Sequence, residues 1–157
     1  MLSFFKEVEA YVTFVRPTLE YASTVWAPYW AEDIYLLEAV QRRAARFILR
    51  DFSPYSSPIQ MLHQLSLPTL DQRRQYARAV MLYKIVNCQI AIPSTPYLFP
   101  KQRGNTCHFI PPHSRVNAHL HSFFPAAIRI WNGLGDAVRE PSIEAFKLEA
   151  GKQLLPC

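Results

Sequence analysis

Four arginines, Arg42, Arg43, Arg46 and Arg50, fall within the ten residues QRRAARFILR. At helical steps of about 100° per residue they share an arc of roughly 100°, facing away from Leu37, Val40, Ala44, Phe47 and Ile48. A guanidinium fork matches the paired oxygens of phosphate or carboxylate, so such a stripe can follow a nucleic-acid backbone. It can equally be the salt-bridged outer face of a scaffold helix. Arg42 to Arg46 and Arg46 to Arg50 are like-charge neighbours at i,i+4, each costing an isolated helix about 0.2–0.5 kcal/mol. An anion is therefore expected against them, and Glu38 is placed to pair with Arg42. Arg73, Arg74 and Arg78 form a second, shorter basic cluster.

Other chemistry has less material. Asp33, Asp51, Asp71 and Asp136 are scattered singly, so no carboxylate pair is set up for two-metal catalysis. There is no G-x-S-x-G, and four glycines supply no phosphate-binding loop. The expectation is a protein that is not an enzyme and takes no small-molecule substrate. Cys107, His108, His113, His119 and His121 lie within fifteen residues and contain zinc-ligand types. Their spacing matches no finger or knuckle, and they are expected to be ordinary loop residues, with neither metal nor cofactor.

The chain around these groups has 157 residues and a formal charge of +5, and twelve of its seventeen basic residues are arginine. Half of it is apolar and 13% aromatic, which supports a packed core and argues against disorder. Acidic partners fit the charge, nucleic acid first. Cys88, Cys107 and Cys157 are an odd number at wide spacing, as expected of reduced thiols in an intracellular protein. The apolar opening is interrupted by Lys6, Glu7 and Glu9, and no run reaches the roughly 18 apolar residues of a membrane span. No membrane partner is expected.

The elements that must position the arginines read as mostly helical, and no internal repeat is present. Ser3 is placed to cap a helix through Val15, Pro17 ends it or opens the next, and Thr18 to Trp26 forms a second helix before Pro28. The basic helix runs from Glu32. Ser57 with Gln60, and Thr69 with Gln72, have capping-box spacing; the helix after Thr69 becomes apolar nearly all round at AVMLYKIV and should be buried there. Prolines break residues 89–123 into irregular structure, in which TCHFI and RVNAHLHSF can form a short hairpin. FFPAAIRIWNGLG reads as a helix, and Pro141 with Ser142 opens a last one. The expected architecture is a single mostly α domain of about six to seven helices, helical over 1–88 and 124–157.

Four blocks in register, FVRPTLEYASTVWAPY, LEAVQRRAARFIL, LPTLDQRRQYARAVMLYKIVN and SFFPAAIRIWNGL, followed by PSIEAFKLEA, resemble the carboxy-terminal region of reverse transcriptases of non-long-terminal-repeat retrotransposons, the jockey-like LINE group. The resemblance runs in order over nearly the whole chain. It implies a thumb or post-thumb segment that helps to hold RNA template and DNA primer during target-primed reverse transcription. The partners so implied are an RNA/DNA hybrid or RNA, and the palm domain upstream in the parent polymerase. The family's Tyr-x-Asp-Asp turn is absent, so catalysis and its divalent metal would lie outside this chain. Gly135 stands where the family usually has proline, and Met1 falls inside the family's pattern. Arg42, Arg43, Arg46 and Arg50 are the implied nucleic-acid contacts, with Arg73, Arg74 and Arg78 second. The rivals are a protein-packing scaffold and a truncated element remnant that binds no nucleic acid.

Overall fold

The computed structural model describes residues 2–101 and 107–156, with side chains from Phe5 onward. Among them the chain is mostly α-helical, its single sheet a two-stranded pairing. It divides into two compact units, residues 1–74 and 75–156.

In the first unit, α1 (Leu2–Ala10) continues through a π-helical turn, Tyr11–Val15, into α2 (Arg16–Glu20). Helix α1 is described from Leu2, and the side chain of Ser3, expected to cap it, lies outside the described residues. The extra residue of the π turn aims Tyr11 inward, where it is buried. Pro17 sits in the first turn of α2, where its missing N–H costs no bond. The helix expected over Thr18 to Trp26 is broken: Ala22 takes φ +50°, and α3 (Ser23–Trp26) starts afresh beyond it. Helix α4 (Ala31–Leu49) carries the arginines, and α1 and α5 (Pro58–Gln64) both pack on it. Tyr11, Ala45, Ile48, Met61, Leu62, Leu65 and Leu67 form the core of this unit.

Helix α6 (Leu70–Val86) begins at the expected Thr69/Gln72 box: Thr69 N–H donates to Gln72 Oε1 at 2.9 Å and Gln72 N–H to Thr69 Oγ1 at 3.2 Å. Ser57, by contrast, makes no capping bond from its side chain. Helices α4, α5 and α6 end alike. Arg50, Ser66 and Cys88 take positive φ, and the next N–H reaches back to Arg46, Leu62 and Lys84 carbonyls respectively. Glycine is the usual residue at such an end; this chain has only four.

The second unit packs the apolar half of α6 against α8 (Phe123–Gly133), a 3-10 turn at Gly135–Arg139, and α9 (Ile143–Leu154). Ala79, Leu82, Tyr83, Trp131 and Phe146 are its buried centre, and Tyr83 stacks on Phe146 at 4.4 Å. Each such large side chain contributes about 1.5–3 kcal/mol by leaving water. Ser142 caps α9, accepting from Ala145 N–H at 3.1 Å as its spacing predicts. The hairpin differs from expectation. β2 (Phe109–Ile110), within TCHFI, pairs antiparallel with β1 (Phe99–Pro100) upstream of it. RVNAHLHSF is not a strand, because Asn117–Leu120 closes into a helical turn, α7. Gly135 has φ +56°, a conformation that proline's ring forbids, so this turn is built differently from one with proline there.

Candidate nucleic-acid interface

The buried line of α4 is not the apolar set that its sequence suggests. Glu38, Gln41, Ala45 and Ile48 face inward, while Phe47 is 66% exposed. Two of these four are polar, and each is satisfied. Gln41, 0% exposed, accepts from the Tyr11 hydroxyl at 2.9 Å and donates to the Pro68 carbonyl at 2.9 Å. Glu38 accepts from Asp71 N–H at 2.9 Å and lies 3.9 Å from the Arg74 guanidinium. A carboxylate at the start of α6 also meets the positive end of that helix. Burying such groups without partners would cost several kcal/mol; here they tie α4 to the π turn and to the segment entering α6. Burial pushes the Tyr11 phenol up to about 12.

This network assigns the second basic cluster. Arg74 is 2% exposed, beside Glu38 and, at 3.6 Å, Asp71. Arg73 grips both oxygens of Glu20 along one guanidinium edge, Nε donating to Oε1 and Nη2 to Oε2 at 2.9 Å, and Arg16 approaches the same carboxylate at 3.9 Å. Arg78, in the second unit, donates to the His121 carbonyl at 3.5 Å. Arg73 and Arg74 thus have their anions inside the protein, in Glu20 and Glu38. Sequence reasoning overlooked Glu20 and Gln41 and gave Glu38 to Arg42. The signal that could have found two of them is a polar pair, Glu38 and Gln41, at i,i+3 inside the inward line of an amphipathic helix.

The four stripe arginines do four different things. Arg42 folds back along its own helix, its guanidinium 4.4 Å above the Tyr35 ring and 3.1 Å from the Tyr35 carbonyl. Arg46 donates to the Ser53 carbonyl at 2.9 Å and the Ser56 carbonyl at 3.4 Å, pinning the turn between α4 and α5. Asp51 braces the same turn: it accepts from Ser53 N–H at 3.0 Å, and its hydrogen bonds to Ser56 and Ser53 hold its carboxyl below the usual range. Arg50 lies past the helical end at Leu49, in the left-handed conformation, and so leaves the arc that regular helical steps give it. Its side chain is 77% exposed and 3.5 Å from Glu7 of α1. Arg43 is exposed and has no partner among the described residues. The face offered to an external anion is therefore Arg42 and Arg43, with Arg46 held as a brace and Arg50 set apart beside Glu7.

Beside this face, between α1 with its π turn and α4, runs an apolar groove of about 380 Å³ lined by Tyr11, Phe14, Val15, Ala44, Phe47 and Ile48. Phe14 is 76% exposed at its edge.

In the second unit the WNG segment does structural work. Asn132 pairs with the β2 backbone as another strand would: its Oδ1 accepts from Phe109 N–H at 3.0 Å and its Nδ2 donates to Phe109 O at 2.8 Å. Trp131 Nε1 donates to the Cys107 carbonyl at 2.8 Å. Of the nearby histidines, His119 lies on α7 with its Nδ1 2.8 Å from Ser114 Oγ. Among the described residues no three His, Cys, Asp or Glu side chains converge as metal ligands, and no helix is long and apolar enough to cross a membrane.

Models of known protein families, characterised proteins and solved structures give no match to the chain.

Proposed function

We propose that this chain is a noncatalytic segment of a larger RNA-directed DNA polymerase of the non-long-terminal-repeat retrotransposon kind, which holds RNA template and DNA primer by their phosphate backbones. The sequence resemblance supplies the family. The observation that carries the role is the state of α4: Arg43 is exposed and has no partner among the described residues, beside an Arg42 whose guanidinium is fixed against Tyr35. Fixed guanidinium forks lose little freedom on gripping phosphate. Contacts of this kind give affinity without base readout and are strongly salt-dependent. The test is fluorescence anisotropy of a short labelled RNA/DNA hybrid across a salt series, on the parent and on Arg42→Gln with Arg43→Gln. Loss of about 1.8 from the slope of log affinity against log salt is expected for two phosphate contacts. A parent that does not bind, or a variant that binds like the parent, refutes the role.

A second reading, a protein-packing module, is favoured by the apolar groove and by Phe14 and Phe47 open at it. Contiguous exposed apolar surface marks interaction sites. On that reading the isolated chain self-associates, and Phe14→Asp with Phe47→Asp returns it to a monomer by sedimentation.

A further inference from the structure

Charge is divided unequally along this chain. Residues 1–74 hold eight Lys or Arg against eight Asp or Glu, whereas residues 75–156 hold nine against four, so the whole excess of five lies in the second unit. Within that unit the four carboxylates, Asp136, Glu140, Glu144 and Glu149, all follow Gly135, and from Gln72 to Gly135 there is none. The fold gathers part of this carboxylate-free stretch at α7. Arg129 of α8 donates to the Leu120 carbonyl, and Arg78 of α6 to the next carbonyl, His121, at 3.5 Å. Two guanidiniums from separate helices thus meet at the end of one short turn. Arg115 enters that turn exposed and without a partner among the described residues, and Arg129, His119 and Asn117 are exposed beside it.

We propose that this α7 surface is a second binding face for nucleic-acid phosphate, separate from the arginines of α4. It rests on the nucleic-acid assignment above and extends it to a unit that the four-arginine stripe does not include. Three features select a nucleic-acid backbone as the partner. Arginines, not lysines, dominate the surface, which suits bidentate phosphate contact. Asn117 adds an exposed, small neutral hydrogen-bonding group of the kind typical of backbone contacts. The residues from Arg115 to His121 are polar apart from Val116, Ala118 and Leu120, and none is Trp or Tyr, so the surface lacks the aromatic anchors typical of a protein interface.

The experiment compares two variants of equal net charge in the hybrid-binding assay. Arg115→Gln with Arg129→Gln removes two charges at α7. Arg139→Gln with Lys152→Gln removes two beside the carboxylates, where Arg139 lies 3.3 Å from Asp136 and Lys152 lies 3.0 Å from Glu149. The α7 pair is expected to lower the salt slope by about 1.8 and affinity near physiological salt by about thirtyfold, with the control pair near the parent. Should loss of the Arg129 bond unfold α7, Arg115→Gln alone still predicts a slope change of about 0.9. Equal losses in both pairs overturn the proposal, because net charge and not location would then govern binding. Parent-like binding of a folded α7 pair, with binding lost in the α4 variant, overturns it while leaving the α4 assignment standing. A parent that binds no hybrid removes both, and preference for anionic lipid vesicles over the hybrid reassigns the face to a membrane.

Discussion

Arg46 and Arg43 lie three residues apart on one helix, yet the structure predicts opposite consequences for losing them. Arg46→Met keeps the aliphatic stem packed and removes the guanidinium that holds the Ser53 and Ser56 carbonyls. A hydrogen bond to a charged group is worth about 1.5–3 kcal/mol. The 2.9 Å bond falls in that class and the 3.4 Å bond adds little. Arg46 is only half-buried, so solvent screening brings the sum to about 2 kcal/mol. That is roughly a thirtyfold change in the folding constant, or about 1 M in urea midpoint at a slope of about 2 kcal/mol per M. Arg43→Met breaks no bond among the described residues and should change stability by less than about 0.5 kcal/mol. Urea unfolding followed by circular dichroism measures one arm, and hybrid binding across salt the other. Arg43→Met should lose about 0.9 of the salt slope while Arg46→Met, measured folded, keeps it. If Arg46→Met is as stable as the parent and loses the slope instead, the division of the stripe into brace and open face is wrong.

Four further outcomes follow from the same geometry. Tyr11→Phe leaves the buried Gln41 Oε1 without its donor and should cost about 1–3 kcal/mol by urea unfolding. The Tyr11 phenol is raised from 10.0 to about 12, so its share of stability is complete below about pH 10 and lost as pH climbs toward 12; Tyr11→Phe should flatten that part of the alkaline unfolding curve. Ser66→Gly relieves a left-handed serine at φ +50° and should raise the unfolding midpoint, by roughly 0.5–1 kcal/mol of stability. Asn132→Ala removes both bonds to Phe109 and should speed hydrogen exchange at the Phe109 amide; unchanged exchange would show that β2 does not depend on α8.

Local rules carried the helices a long way. The Thr69/Gln72 box, the Ser142 cap, the proline in the first turn of α8 and the burial of the second half of α6 all appear where residue types and spacing put them, because each is settled within one or two turns of chain. The π turn at Tyr11–Val15 and the break at Ala22 carry no comparable local mark and were not foreseen. The strand pairing also escaped. β1 is only Phe99–Pro100, and the free edge of Phe109 in β2 is paired by the Asn132 side chain, a partner far along the sequence.

The candidate site divides along the same line. Sequence alone determined that arginines cluster on one amphipathic helix and that carboxylates are missing from Gln72 to Gly135, since these depend only on residue type and order. Only the tertiary structure decided which arginines remain open. Arg74 is closed by Glu38 and Asp71, Arg73 by Glu20, and Arg46 by two turn carbonyls, partners drawn mostly from other elements. Helical periodicity gives a side chain's direction but not what waits there, and for a charged group the waiting partner decides whether it braces the fold or stays free to bind.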